Sequence, residues 1–207
     1  MMTSTNSQTR MLPVLAIAAM ILSGCGSTPP SRFYMLESMP VDMAGKAAPG
    51  SQTKLHIGIG PVDFADYLDR SQIVTRSDNT EVKLAETHRW AEPLHNNFGR
   101  ILAENLSTLM NTDQISLHPS RNWSEIDYQV LVNVWQFDAS KNGEVSLVAN
   151  WSLRGKGGSE LLIMKKSVFT ASTEPAASYN DIVRALSKTV ELLSREIVES
   201  IQRESGS

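Results

Sequence analysis

YQVLVNVWQFDASKNGEVSLVANWSLRGKGGSELLIMKKSVFTAS, residues 128–172, is the stretch that decides the fold, because apolar and polar residues alternate along it in three runs. Asn142-Gly143 supplies turn chemistry after the first run, and residues 155–159 supply it after the second. In the second run, the residues between the apolar positions are mostly polar, which predicts that one face of this strand is exposed to solvent. The alternating apolar positions of the first two runs are Val130, Val132, Val134, Val145, Leu147, Ala149, Trp151 and Leu153. The stretch therefore predicts an antiparallel meander completed by a third strand from Leu161 to Ala171.

Two segments flanking the meander have the period of a helix instead. The first runs from Leu94 to Met110, with Pro93 suited to the first turn. The second begins after Ser178, which forms a capping-box pattern with Asp181. Their apolar stripes consist of Leu94, Phe98, Ile101, Leu102, Leu109 and Met110 in the first, and Ile182, Leu186, Val190, Leu193, Ile197 and Ile201 in the second. Both patterns are typical of helices that pack one face on a core.

Four shorter segments upstream predict further strands. Arg32 to Met39 predicts an edge strand, and Leu55 to Ile59 alternates as a half-buried strand that Pro61 ends. Gln72 to Arg76 and Glu81 to Ala85 are two more candidates. Together the elements predict an α/β fold, a mixed sheet with an antiparallel meander and two long helices packed on it, with α+β as the alternative. We expect residues 32–204 to form a single domain.

The single cysteine, Cys25, closes an apolar run from Met11 to Leu22 that follows Arg10. As a helix this run would reach about 18 Å, short of the roughly 30 Å of hydrocarbon that a spanning helix crosses. The sequence Leu22-Ser23-Gly24-Cys25 resembles the lipobox of bacterial lipoproteins. We therefore expect residues 1–24 to be a signal peptide and Cys25 to carry a diacylglyceryl group and an acylated (palmitate-type) amine.

The residues after Cys25 bear on the site of anchoring. Residues 25–31 are rich in Gly, Ser and Pro, a composition that predicts a lipidated tether. An Asp after the lipidated Cys commonly retains such proteins at the inner membrane, and this chain has Gly26 there. The expected location is the periplasmic face of the outer membrane. The alternative is an unmodified, buried Cys25 in an ordinary N-terminal helix.

Composition excludes several classes of protein. The chain has 207 residues, 41% of them hydrophobic and 20% charged, which is too apolar for a disordered chain and too polar for a polytopic membrane protein. Its formal net charge of -3 argues against nucleic acid as a partner, because phosphate binding needs clustered Lys and Arg. One cysteine cannot form an intramolecular disulfide or a thiolate metal cluster.

A search for catalytic or metal-binding patterns finds little. His88, Glu92 and His95 have the spacing of one helical face, but Pro93 argues against a helix running back through His88. There is no Gly-x-Ser-x-Gly motif, and Gly58-Ile59-Gly60 lacks the third glycine of a dinucleotide fingerprint. We expect no enzyme activity, no catalytic residue, no metal and no cofactor. An envelope hydrolase that uses His88 or His95 is kept as an alternative.

The four tryptophans leave a second alternative open. Trp90, Trp123, Trp135 and Trp151 could line a groove for a lipid or glycan, or pack in the core. The corresponding function is a free-standing lipoprotein that binds such a ligand itself.

Particular motifs carry a family resemblance. The segments concerned are Arg32-Phe33-Tyr34-Met35-Leu36, Gly60-Pro61-Val62, Tyr67-Leu68-Asp69-Arg70, Gln72-Ile73-Val74 with Arg76, and Arg89-Trp90-Ala91-Glu92-Pro93-Leu94. They resemble the ABC-type transport auxiliary lipoproteins, and within that family the PqiC-like members. The resemblance runs from the lipobox to the last helix. One departure is Phe64-Ala65-Asp66, where many relatives have a proline.

The resemblance implies a non-enzymatic periplasmic subunit of a trans-envelope system for lipid transport that contributes to envelope integrity. It implies an MCE-domain protein as partner and a homo-oligomer, since family members can assemble as rings. The candidate partner-interface or loop-fixing residues are Tyr67, Asp69, Arg70, Arg76, Arg89, Trp90 and Glu92. In the loop-fixing interpretation, Asp69 pairs with Arg70 and Arg89 with Glu92. Both interpretations stay open at this point.

Overall fold

A computed structural model of the chain describes residues 29–41, 54–78, 80–119 and 125–206. The predictions for Cys25, the signal peptide and Trp123 lie outside these residues. The described part contains one eight-stranded sheet and two long helices. The strands are β1 (Arg32–Tyr34), β2 (Ile57–Phe64), β3 (Gln72–Arg76), β4 (Val82–Trp90), β5 (Ile115–Leu117), β6 (Tyr128–Ser140), β7 (Glu144–Gly155) and β8 (Glu160–Ser172). The helices are α1 (Leu94–Met110) and α2 (Tyr179–Ser205). The predicted fold class, a mixed sheet with two long helices, is confirmed.

The meander forms as the alternation predicts. β6 pairs antiparallel with β7, and β7 with β8, so that Val132 lies opposite Trp151 and Trp151 opposite Lys165. Every second residue of β7 from Val145 onward is buried, and those between are half-buried. The β6–β7 turn uses Gly143 at φ +84°, where a Cβ atom would clash with the carbonyl oxygen of Thr173. That position requires glycine.

The other edge of β6 is shared by two strands. β2 runs parallel to its first half, from Ile57 opposite Tyr128 to Phe64 opposite Val134. β3 pairs with its last residues, and Thr75 lies opposite Ala139. The sheet order is therefore β1-β4-β3-β6-β2-β5, with β7 and β8 beyond β6. Because β6 has 13 residues, it is long enough to pair with both strands in turn.

Three strand predictions need correction. β2 does not end at Pro61 but continues to Phe64, because the register against β6 shifts between Ile59 and Val62 and the irregularity accommodates a residue without an N–H. β4 extends past Ala85 to Trp90, where it pairs with both β1 and β3. β1 is the predicted edge strand but has only three residues. β5 was not predicted, because three residues are too few to show a period.

α1 has the predicted bounds, and α2 begins directly after Ser178 as predicted. The hydroxyl of Ser178 accepts a hydrogen bond from the backbone N–H of Asp181 at 3.3 Å, as the capping pattern predicts. In α1, the buried ring of Phe98 makes edge contacts with Phe64 at 5.4 Å and Phe137 at 5.6 Å. These rings join α1 to β2 and β6 in the core.

The segment after β1 lies against the helices through polar contacts. The backbone N–H groups of Leu36 and Met39 each donate at 2.8 Å to an amide oxygen of α1, that of Asn97 and that of Asn105 respectively. The N–H of Glu37 donates to the hydroxyl of Ser187 in α2 at 3.0 Å. Leu36 and Met39 are themselves buried. The buried asparagines of α1 therefore hold an extended segment that has no strand partner of its own at these residues.

Candidate functional site

A buried carboxylate lies where β6 passes from β2 to β3. The side chain of Asp138 is 2% exposed, and its Oδ2 lies 2.8 Å from Nη2 of Arg76. The hydroxyl of Tyr67 donates to the same oxygen at 3.3 Å, and the amide of Gln136 donates to Oδ1 at 3.0 Å. A carboxylate this deep is tolerated only when it is paired and hydrogen-bonded, and here it is both.

This cluster brings together two of the predicted site residues, Tyr67 and Arg76. Tyr67 lies in residues 65–71, which connect β2 to β3, and Arg76 ends β3. The Tyr67 hydroxyl is also 3.2 Å from the carbonyl oxygen of Trp135, and Nη2 of Arg76 is 3.3 Å from that hydroxyl. The backbone N–H of Ala65 donates to the carbonyl of Val134 at 2.9 Å. The contacts hold the connecting loop against β6.

Asp138, the centre of the cluster, was missed by the sequence reasoning. The available signal was that Asp138, between Phe137 and Ala139, is the only charged residue from Tyr128 to Ser140. Since charged residues are rarely buried unless paired, such a residue indicates a partner elsewhere in the chain. The alternation of apolar and polar residues along the strand does not identify the partner of Asp138.

The environment shifts two pKa values in the cluster. Burial, reinforced by the negative charge of Asp138, raises the pKa of Tyr67 to about 12. The hydrogen bond to Asp138 raises the pKa of Arg76. At neutral pH the cluster therefore contains a protonated phenol and a guanidinium on one carboxylate.

Tyr67 is expected to keep its proton through pH 11 in the folded protein. The unfolded chain releases it near pH 10, so the stabilising effect is complete below pH 10 and is lost as the pH rises toward about 12. Ultraviolet difference titration at 295 nm measures this, with Tyr67→Phe as the comparison. The high-pH component should lose the amplitude of one tyrosine in that variant, because burial also raises the pKa of Tyr179. The Tyr67 component should move to lower pH in Asp138→Asn. A titration of Tyr67→Phe that overlays the wild type would contradict the assignment.

The other predicted site residues have partners different from those expected. Arg89 donates from Nε to the carbonyl of Glu86 at 3.4 Å, and Arg70 donates to the carbonyl of Asp66 at 3.4 Å. Oδ1 of Asp69 lies 3.7 Å from Nδ1 of His95. The pairings Asp69–Arg70 and Arg89–Glu92 are therefore wrong. Arg89 lies in β4, which ends at Trp90, whereas Glu92 lies in the loop before α1.

Glu92 instead joins the loop before α1 to that helix. Its Oε1 accepts from Arg100 at 2.8 Å and from Asn97 at 2.7 Å. The hydrogen bond from Arg100 holds the pKa of the Glu92 carboxyl below its usual range. Asn97 also receives the N–H of Leu36, so Glu92 orients an amide that fixes the segment after β1.

The histidines do not share a helical face. His88 lies in β4, with Nδ1 2.7 Å from the hydroxyl of Tyr34 and its ring stacked on Tyr179 at 3.9 Å. Burial and then the charge of Arg32 lower the pKa of His88. His95 lies in α1. Within the residues the structure describes, no group of three or more His, Cys, Asp or Glu side chains is placed to hold a metal.

The described tryptophans divide between core and surface. Trp90 and Trp151 are 5% and 1% exposed, and Nε1 of Trp151 donates to the hydroxyl of Ser167. Trp135 is 46% exposed, and Nζ of Lys166 lies 5.2 Å from its ring centre. Two of the three thus serve packing, and only Trp135 among them offers a ring for binding.

Trp135 belongs to an apolar surface of the meander that we call the open face. It carries the residues Leu131, Trp135, Val148, Met164 and Val168. Met164 is 75% exposed and Val168 is 59% exposed, and Val168 lies opposite Val148 in the sheet. A groove of about 260 Å³ beside it is lined by Leu131, Asn133, Ser152 and Met164, among others. The polar row Asn133, Asn150 and Lys166 crosses this face between Met164 and Val168, so the open face presents both apolar and polar groups to solvent. Exposed apolar side chains on one face are typical of interaction surfaces.

The fold and the site define the class of protein: a sheet-and-helix domain in which the buried polar cluster stabilises the fold. An exposed apolar face lies next to that cluster. No described helix has both the length and the apolar character needed to cross a membrane. The family model of the ABC-type transport auxiliary lipoprotein component matches residues 34–198, so the chain belongs to that family, as the motifs predicted. It is a family of transport auxiliary lipoproteins and not of enzymes.

Particular relatives agree with this assignment. The chain is 23% identical over 190 residues to the intermembrane transport lipoprotein PqiC of Escherichia coli (strain K12), a match that covers 92% of this chain and 97% of the relative. PqiC of Shigella flexneri matches equally. A crystal structure of a Xanthomonas campestris protein superposes with a TM-score of 0.67 at 13% identity, covering 86% of this chain and all of the other, which shows the shared fold.

Proposed function

We propose that the protein is a non-enzymatic accessory subunit of an MCE-type intermembrane lipid transport system. In this proposal Cys25 anchors it to the outer membrane, the folded domain faces the periplasm, and the system supports envelope integrity. The observation that carries the proposal is the family match across residues 34–198. The PqiC relatives, which are named as intermembrane transport lipoproteins, support it.

The open face is the surface we propose for the MCE-domain partner. It lies beside the loop that carries the family motif, and the Tyr67 hydroxyl bonds to the carbonyl of Trp135 itself. The buried Asp138 cluster thus fixes the backbone that presents the exposed ring. A rigid tryptophan with apolar neighbours is the kind of residue that dominates binding at protein interfaces.

Trp135→Ala is expected to weaken binding of the MCE-domain protein at least tenfold, because an interface tryptophan contributes about 2 kcal/mol or more. Binding of the purified lipoprotein to an immobilised MCE-domain protein of the same organism measures the effect. Leu117→Ala is the matched control, because Leu117 is 40% exposed on β5, away from the open face. Equal affinity of the Trp135 variant and the control would contradict the proposed surface.

A second candidate function is favoured by the groove on the open face. Its volume of about 260 Å³ and its apolar and amide lining suit part of a lipid or glycan. Native mass spectrometry of the purified protein separates the two functions. A co-purified ligand supports direct binding, whereas a ligand-free protein that binds the MCE-domain partner supports the accessory role. The same spectra give the number of copies in the expected homo-oligomer.

A further inference from the structure

A second exposed apolar group lies at the opposite, amino-terminal edge of the sheet. Phe33 in β1 is 64% exposed, and Met35 immediately after it is 47% exposed. Phe33 lies opposite Arg89 of β4 in the parallel pairing, and Arg32 precedes it. Phe33 therefore shares a face of the sheet with Arg89, whereas Arg32 pairs with His88 on the face that Tyr34 occupies.

The structure holds these side chains at the surface. Tyr34, between them, turns inward, where its hydroxyl contacts His88 and its ring lies 6.2 Å from that of Tyr179. Directly after Met35, the N–H groups of Leu36 and Glu37 are bonded to side chains of the two helices. Because Tyr34 and Leu36 occupy the core, Phe33 and Met35 point away from it.

The length of the tether places this group close to the anchored cysteine. Phe33 follows Cys25 by eight residues in the sequence. A flexible chain of that length spans about 16 Å on average, and a fully extended one about 28 Å. A lipid anchor at Cys25 therefore keeps Phe33 and Met35 within reach of the membrane surface.

We propose that Phe33 and Met35, with Arg89 beside them on the same face, form a membrane-contact edge that inserts into the interface of an anionic bilayer. The inference rests on the lipid anchoring in the proposed function. Aromatic and apolar side chains enter the headgroup region while neighbouring arginines contact phosphates. Glu37 is the only carboxylate between residues 32 and 41, and it belongs to the part of the segment bonded to the helices. The edge orients the folded domain on the membrane, which the tether alone does not do.

Site-directed spin labelling of the full, lipidated protein tests this edge. Cys25 is the only cysteine, and thioether formation consumes its thiol, so a cysteine introduced by Phe33→Cys is the single labelling site. Met164→Cys on β8 is the matched control, because Met164 is also apolar and exposed. Both proteins are reconstituted into vesicles of phosphatidylethanolamine with phosphatidylglycerol. Collision rates with oxygen, which partitions into lipid, and with a water-soluble nickel chelate are then compared.

The expected result is an oxygen-to-nickel collision ratio at position 33 several-fold above that at position 164. The excess should fall when phosphatidylglycerol is omitted or when Arg89 is changed to Gln. Equal ratios at the two positions would overturn the proposal. Low collision rates with both reagents at position 33 would also overturn it, since they indicate a protein contact. Labelling of the parent protein at Cys25 would instead show that the anchor, and thus the proposed function, has failed.

Discussion

Cys25→Ala is expected to abolish incorporation of labelled fatty acid and to release the domain from stable membrane association. Each buried methylene contributes about 0.8 kcal/mol, so one acyl chain holds a protein only marginally whereas two or more hold it essentially permanently. In the proposed anchor, Cys25 supplies both the sulfur and, after cleavage, the amine for these chains. Removing its thiol therefore removes every acyl group together. Labelling with radioactive palmitate and fractionation of membranes measure the two effects.

Ser27→Ala is the matched control for the anchor, because it changes the tether two residues away and leaves the thiol intact. It should be labelled and fractionated like the parent protein. Variant protein that keeps its signal peptide can still sediment with membranes, so the fatty-acid label is the decisive measurement. Unchanged labelling of Cys25→Ala would refute lipidation at this residue.

Asp138→Ala is expected to destabilise the fold by about 3 kcal/mol. Breaking a buried ion pair from one side costs about 3–5 kcal/mol, and the low end applies here because Arg76 is 21% exposed and retains some water. The change also removes the acceptor for the Tyr67 hydroxyl and for the Gln136 amide. Urea unfolding followed by circular dichroism gives the free energy of unfolding.

Asp69→Ala is the matched control for this second prediction. Its carboxylate is 63% exposed and lies in the same connecting loop, so its loss should change the free energy of unfolding by less than about 0.5 kcal/mol. In a double-mutant cycle, Arg76→Ala should cost much less in the Asp138→Ala background than in the parent protein. Equal losses for Asp69→Ala and Asp138→Ala, or additive losses for the pair, would argue against the buried cluster as a stabilising unit.

The strands and helices in which apolar residues recur many times were predictable from the sequence. The meander and both helices repeat their apolar positions often enough that one face is defined without knowledge of the rest of the chain. The continuation of β2 past Pro61, the extension of β4 and the three residues of β5 were missed. These depend on the neighbouring strand, which supplies hydrogen bonds to residues whose own pattern is weak.

The candidate site likewise combines residues that the sequence identified with one that it did not. The motif residues Tyr67 and Arg76 were identified, but the carboxylate that joins them, Asp138, lies 62 residues after Arg76. In the loop-fixing interpretation Glu92 pairs with Arg89, whereas in the structure it pairs with Arg100 of α1. Short sequence distance favoured the wrong partners, because the tertiary fold brings His95 to Asp69 and Arg100 to Glu92.

Membership in the family of transport auxiliary lipoproteins, the meander and the two amphipathic helices were determined by the sequence alone, because each depends on local order of residues. The tertiary structure decided which of two tryptophans, Trp135 or Trp151, is exposed and which carboxylate is buried. It also placed Phe33 and Met35 at an outer edge of the sheet. Burial is set by what packs across the sheet, and residues distant in the chain supply that packing.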